Sequence, residues 1–133
     1  MIDRNRVSAM IDDRLVLVVT LIALGTIGAG LFQLIFPGVV LGIIDGNTDA
    51  TAKHFFAIVG MFMAIVGGLV LQSLYQQRAQ RMVIGWGSVQ KLGASIAVGV
   101  GVINDVFGPL ALLVAGFDAL SFVLMAILAR RST

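Results

Sequence analysis

The sequence predicts an all-α fold: a four-helix bundle embedded in a membrane. Three observations carry that reading. Hydrophobic residues make up 59% of the 133 positions and charged residues only 12%, with a mean hydropathy of +1.03, whereas a soluble domain carries about 25% charge. The apolar residues gather into four runs, each near the roughly 20 residues that a spanning helix needs. Nearly all the basic residues fall on one side of those runs. A water-soluble monomer of this size would expose much of its apolar surface, so the expected solvent is lipid.

The elements follow in chain order. Val7, Met10 and Ile11 share helical spacing, which predicts a short interfacial helix within residues 1–14, ahead of Asp12. The first span, about 15–36, holds no charge. Its apolar run is too long for a signal peptide and no A-x-A site closes it, so it is expected to be retained. Pro37-Gly38 ends it, because proline cannot continue a helix and glycine permits the turn. Residues 39–44 are too few to cross and too apolar for open water, so they should lie at the interface or dip back into the bundle. Asp45-Gly46-Asn47 reads as a turn, with Thr48 or Thr51 as the cap of the second helix. The second span, about 55–74, is again uncharged. The third, about 82–103, contains Gln90 and Lys91, and the fourth, about 110–129, contains Asp118. No long polar stretch separates them, so residues 1–133 read as a single transmembrane domain. Tyr75 and Trp86 fall where amphipathic rings favour the membrane boundary.

Orientation follows from lysine and arginine in the short connections. Arg4, Arg6, Arg14, Arg78, Arg81, Arg130 and Arg131 lie on one side; Lys53 stands alone on the other, beside Asp45, Asp49 and Asp105. Seven against one places both termini in the cytoplasm, and the expected home is a bacterial inner membrane. The +2 net charge is too small to suggest nucleic acid.

An internal match suggests two parallel helical-hairpin repeats. Gly28, Gly30, Phe36 and Pro37 recur in order as Gly99, Gly101, Phe107 and Pro109, with Gln33 opposite Asn104. Small residues should carry the packing, since lipid supplies little hydrophobic force between helices and close backbone approach matters more. Gly60, Ala64 and Gly68 form one such stripe, and Gly93, Ala97 and Gly101 another, serving packing within the chain or a homo-oligomer seam.

Two charges fall inside the slab. Lys91 lies ten residues beyond Arg81 and Asp118 twelve before Arg130, so both sit about 15–18 Å inside the boundary. Each alone costs about 2.5–3.5 kcal/mol on insertion scales. Their helices must be antiparallel neighbours, and a Lys91–Asp118 pair, helped by Gln90, Ser88, Ser95 or Ser121, lowers that cost. The pair is either a static clamp or the wall of a polar cavity for a proton, a quinone head group or a small polar solute. His54 could in principle ligate a pigment metal such as that of haem or chlorophyll, but an ordinary boundary residue is the expected role. With no cysteine and no glutamate, thiol redox chemistry is excluded, as are exporters that depend on a glutamate in the first span.

Phe36-Pro37 with the apolar run after it, Phe55-Phe56-Ala57 opening the second helix, Gly-Pro-Leu-Ala at 108–111 and Ala-Gly-Phe-Asp at 115–118 resemble the DoxX-like small membrane proteins of bacteria. That resemblance implies the four-helix architecture and, since some members are associated with quinone-linked oxidoreductase complexes, an accessory redox subunit. The expectation is therefore a non-enzymatic structural or accessory subunit of a larger membrane complex, with a membrane-protein partner or a second copy. The competing expectation is a small carrier or quinone-linked protein with its site at Lys91–Asp118. Because the native chain has no cysteine, topology is directly measurable: D49C and T133C should react with an impermeant thiol reagent from opposite faces of the membrane. Labelling from one face would overturn the orientation.

Overall fold

The structure, a computed structural model of residues 1–133, contains six helices and no strand. They are α1 (Arg4–Asp12), α2 (Arg14–Ile35), α3 (Pro37–Ile43), α4 (Ala50–Gln76), α5 (Gln80–Ile103) and α6 (Ala111–Arg131). Helices α2, α4, α5 and α6 are long and apolar enough to cross a membrane. The architecture is thus an all-α, membrane-spanning four-helix bundle with two short accessory helices.

Carboxylates cap three of the six helices, α1, α2 and α4. Asp3 caps α1 by accepting from the Asn5 amide at 2.9 Å. Asp13, in extended conformation, ends α1 and caps α2, accepting from the Leu15 and Val16 amides at 3.0 and 3.4 Å. It also pairs with Arg131, joining the start of α2 to the end of α6. Desolvation pushes the Asp13 carboxyl upward, but the Val16 amide, the Arg131 guanidinium and the Leu15 amide together hold it below the usual carboxylate range. The α4 cap corrects the sequence reading: Asp49, rather than Thr48 or Thr51, accepts from the Ala52 amide at 2.8 Å. A carboxylate is at least as good a cap as a hydroxyl, and starting there adds Lys53 and His54 to the helix. Pro37 sits in the first turn of α3, where its missing N–H matters least.

Two close-packed hairpins, α2–α4 and α5–α6, form the bundle, and they meet more sparsely through α4–α5 and α2–α6. The diagonal pairs have no close backbone approach. In the first hairpin Gly30 and Gly60 are mutual contacts: a Cβ on either would lie 2.6 Å from the other's carbonyl oxygen. Gly60 and Ala64 therefore pack as expected, the Ala64 amide lying 2.8 Å from a Cβ placed on Gly30. Gly68 does not. The packed residue is Gly67, against Ile27 and the Ala23 carbonyl, while Gly68 faces open space. Seven residues bring a helix face back to within about 20°, whereas eight leave it about 80° away. In α5 only Gly101 of the expected stripe is packed, against the Phe107 ring; Gly93 and Ala97 face outward. Lys91 and Gly93 are two positions apart, about 200° around a helix, so a buried Lys91 turns Gly93 to the outside.

The matched segments of the proposed repeat play different parts. Gln33 is buried within α2, whereas Asn104 is exposed just past the end of α5. A closer likeness lies in the turns after α3 and α5. Asp45 and Asp105 both adopt the left-handed conformation, with φ of 54° and 58°. The following amides, of Gly46 and Val106, reach back to Leu41 and Gly101 at 2.7 and 2.8 Å, the Schellman closure of a helix end. The Gly108 amide then donates to the Ile44 carbonyl at 2.7 Å, knitting the two turns into a lid at the end of the bundle far from the termini.

The apolar interior divides in two. Near the termini, Val19, Ile22, Val70, Leu74, Ile84, Met125 and Leu128 form the larger core, joined by Met10 of α1. Near the lid, Leu41, Ile44 and Ala111 form a smaller one with Phe56, Val98 and Phe107; α3 therefore dips back onto the bundle. Helix α1 is held to α4 by the Asp3 amide donating to the Tyr75 hydroxyl at 2.7 Å and by Arg6 stacked 5.8 Å above the Tyr75 ring. Trp86 is 71% exposed on the outer surface, as a boundary anchor requires. Gly60→Ala should lower the melting temperature in detergent, by an overpacking penalty of about 1–3 kcal/mol, whereas Gly93→Ala should leave it unchanged or raised. Equal effects from the two would contradict the hairpin packing.

Candidate functional site

Between the two apolar cores lies a polar layer. Lys91 projects from α5 into the bundle and is only 4% exposed; Asp118 of α6 is 8% exposed. The Lys91 Nζ donates to Asp118 Oδ1 at 3.2 Å and to Thr26 Oγ1 of α2 at 2.7 Å. The Thr26 hydroxyl in turn donates to the Ile22 carbonyl at 2.8 Å, which leaves its lone pairs facing the ammonium. The Phe117 ring lies 5.5 Å from the same nitrogen. One side chain thus bridges α2 and α5, diagonal helices whose backbones do not approach, and ties both to α6.

Thr26 is the participant that sequence reasoning missed. The signal was present: Thr20, Thr26 and Gln33 are the only uncharged polar side chains of α2, all three are buried, and Thr26 and Gln33 share a face at a seven-residue interval. Of the expected helpers, none hydrogen-bonds to the pair. Ser88 donates to its own helix at the Gly85 carbonyl, 2.7 Å away. Ser95 crosses to α6 and donates to the Ala115 carbonyl at 2.9 Å, fastening the second hairpin one turn from the pair. Ser121 is buried beside Asp118 without bonding to it. The Ser88 and Ser95 hydroxyls are thus spent on backbone carbonyls, which removes them from competition for the ammonium.

Gln90 has a different part. Its Oε1 is the one buried side-chain polar atom in the chain without a hydrogen-bond partner. It shares with Gln33, Lys91 and Asp118 the wall of a cavity of about 150 Å³ lying between the polar layer and the lid. The remaining lining is apolar, including Phe56, Met63, Val98, Phe107 and Ala111. Gln33 is oriented by its Nε2, which donates to the Phe56 carbonyl at 2.9 Å. Exposed Val59 of α4 and Val114 of α6 also border the cavity, so its wall reaches the outer surface between the hairpins.

His54 lies apart from this site. It is exposed on the first turns of α4, with its ring 6.2 Å from that of Phe55, and no three His, Asp or Glu side chains converge to hold a metal ion. The arrangement at Lys91–Asp118 can present an ammonium donor, a carboxylate and two amides to a small molecule while neutralising its own charge.

No family model, curated protein or solved structure matches this chain. The class is therefore defined by its own geometry, a membrane-spanning four-helix bundle with an ion-paired polar layer at its centre. Asp118→Asn, which leaves the ammonium uncompensated, should destabilise the bundle by about 3–5 kcal/mol, whereas Lys91→Met combined with Asp118→Leu should be close to neutral. Unfolding of each variant in detergent checks this; a double variant as unstable as the single would contradict a buried pair.

Proposed function

We propose that this protein holds a small amphipathic molecule inside its bundle, as a carrier or a quinone-linked redox-associated component, with Lys91, Asp118 and Gln90 forming the polar wall of the site. The observation that carries the reading is the cavity itself, walled on one side by the Lys91–Asp118 pair and elsewhere mostly by apolar side chains. A void of about 150 Å³ is what a single benzene-sized ring fills. Such a ring, the head of a quinone included, suits the space, whereas a haem or chlorophyll macrocycle is several times too large. A quinone tail would have to leave between the hairpins, near Val59 and Val114.

The resemblance to DoxX-like proteins, some of which are associated with quinone-linked oxidoreductase complexes, is in keeping with a redox-associated component. The seven arginines at the end bearing the termini support a cytoplasmic placement of that end in a bacterial inner membrane. A second reading, an accessory subunit or homo-oligomer, is favoured by Gly93 and Ala97, which leave the α5 backbone open on the outer surface. In lipid such a face allows another helix to approach closely.

Purification in nanodiscs followed by native mass spectrometry separates the two readings. The binding reading predicts one small molecule per chain, lost when Ala94→Phe fills the cavity. A chain that carries no small molecule, with or without Ala94→Phe, would contradict it, and a stoichiometric protein companion would then favour the subunit reading.

A further inference from the structure

We propose that a groove beneath α1 holds one acyl chain of a single anionic phospholipid, whose head group is kept at the surface by Arg4 and Arg14. The groove has a volume of about 580 Å³ and lies between α1, α2 and the last turns of α4. Val7 and Ile11 line it from α1, Leu17 and Leu24 from α2, and Gly68 and Leu71 from α4. It shares no residue with the cavity between the hairpins. Thr20 also borders it, but the Thr20 hydroxyl donates to the Val16 carbonyl at 2.8 Å, which leaves the wall apolar. Gly68 gives the groove its depth: a Cβ there would meet nothing within 4 Å.

Length argues for a lipid rather than a helix. The groove runs about 10 Å along α4, from Tyr75 to Gly68, and about 15 Å along α2, from Arg14 to Leu24. The hydrocarbon of one leaflet is about 15 Å thick, so the groove matches an acyl chain and stops at mid-membrane. A spanning helix would need a seam along the whole bundle. Charge then selects the head group. Arg6 is stacked on Tyr75 and pairs with Asp3 at 3.7 Å, so it is committed to holding α1. Arg4 lies seven residues before Ile11, on the same face of α1, and Arg14 lies one turn before Leu17. Both are exposed and neither forms an ion pair. Arg78, Arg81 and Arg130 are unpaired as well, whereas Asp12 is the one unpaired carboxylate at this end. Each arginine near a membrane surface favours an anionic lipid by about fivefold.

Native mass spectrometry of the full chain in detergent, with phosphatidylglycerol and phosphatidylcholine of the same acyl chains added in equal amounts, tests this. The chain should retain one phosphatidylglycerol, at least about fivefold over phosphatidylcholine. Gly68→Phe projects into open space, so it should fill the groove without disturbing the bundle, and the bound lipid should be lost. Arg4→Gln combined with Arg14→Gln should retain one lipid of either kind without preference. Arg81→Gln combined with Arg130→Gln removes the same charge from the second hairpin, which does not line the groove, and should keep the preference. No retained lipid, equal retention of the two lipids by the native chain, or a lipid that survives Gly68→Phe would overturn the site. A preference lost equally in both arginine pairs would overturn the assignment to Arg4 and Arg14. A second copy of the chain released by Gly68→Phe would make the groove a helix seam and contradict the lipid.

Discussion

A lysine ammonium at mid-bundle has to be met by protein, because hydrocarbon offers it nothing. That single demand organises the structure. Lys91 can be buried only if a carboxylate and a hydroxyl converge on it, and they come from α6 and α2, so the two hairpins must face each other in one register. The desolvation cost of such a pair is usually comparable to its attraction, so the pair contributes more to specifying the arrangement than to its net stability. Its neighbours bear this out: the Ser95 bond to Ala115 fixes α5 against α6 a turn away, and the Gly30–Gly60 contact fixes α2 against α4. Each hairpin is tight by itself, and the polar layer joins them where their backbones are sparse.

The polar layer also explains why the interior is divided. Apolar side chains fill the end near the termini, where the three-residue turn between α4 and α5 keeps the hairpins together. Beyond Lys91 the filling is incomplete, and α3 with the Asp45 and Asp105 turns closes the space from above. A cavity bounded by an ion pair on one side and a hydrogen-bonded lid on the other has both polarity and shelter. Those are the properties of a small-molecule site.

Much of this was legible in the chain itself. Four spans were readable because membrane burial demands long uninterrupted apolar runs, and the meeting of Lys91 with Asp118 was readable because charge in lipid is so costly. Thr26 was harder to see, since threonine is tolerated in a helix by bonding its own backbone and so gives no local sign of a tertiary partner. The glycine stripes misled through arithmetic. A four-residue interval drifts around a helix, so Gly67 takes the place expected of Gly68, and an interior Lys91 excludes an interior Gly93. The cap at Asp49 was obscured by two nearby threonines of similar capping ability. The cavity was not readable at all, because it depends on how far two hairpins stand apart and no local pattern encodes that distance.

The central claim is that the Lys91 ammonium and the Asp118 carboxylate meet between α5 and α6. Solid-state NMR in lipid bilayers measures this directly, because the chain has only two lysines and ¹⁵Nζ labelling therefore yields two resolvable signals. The account predicts dipolar coupling from one of them to the Asp118 ¹³Cγ, at a separation of about 4 Å or less. Both lysine signals uncoupled from that carboxyl would contradict it.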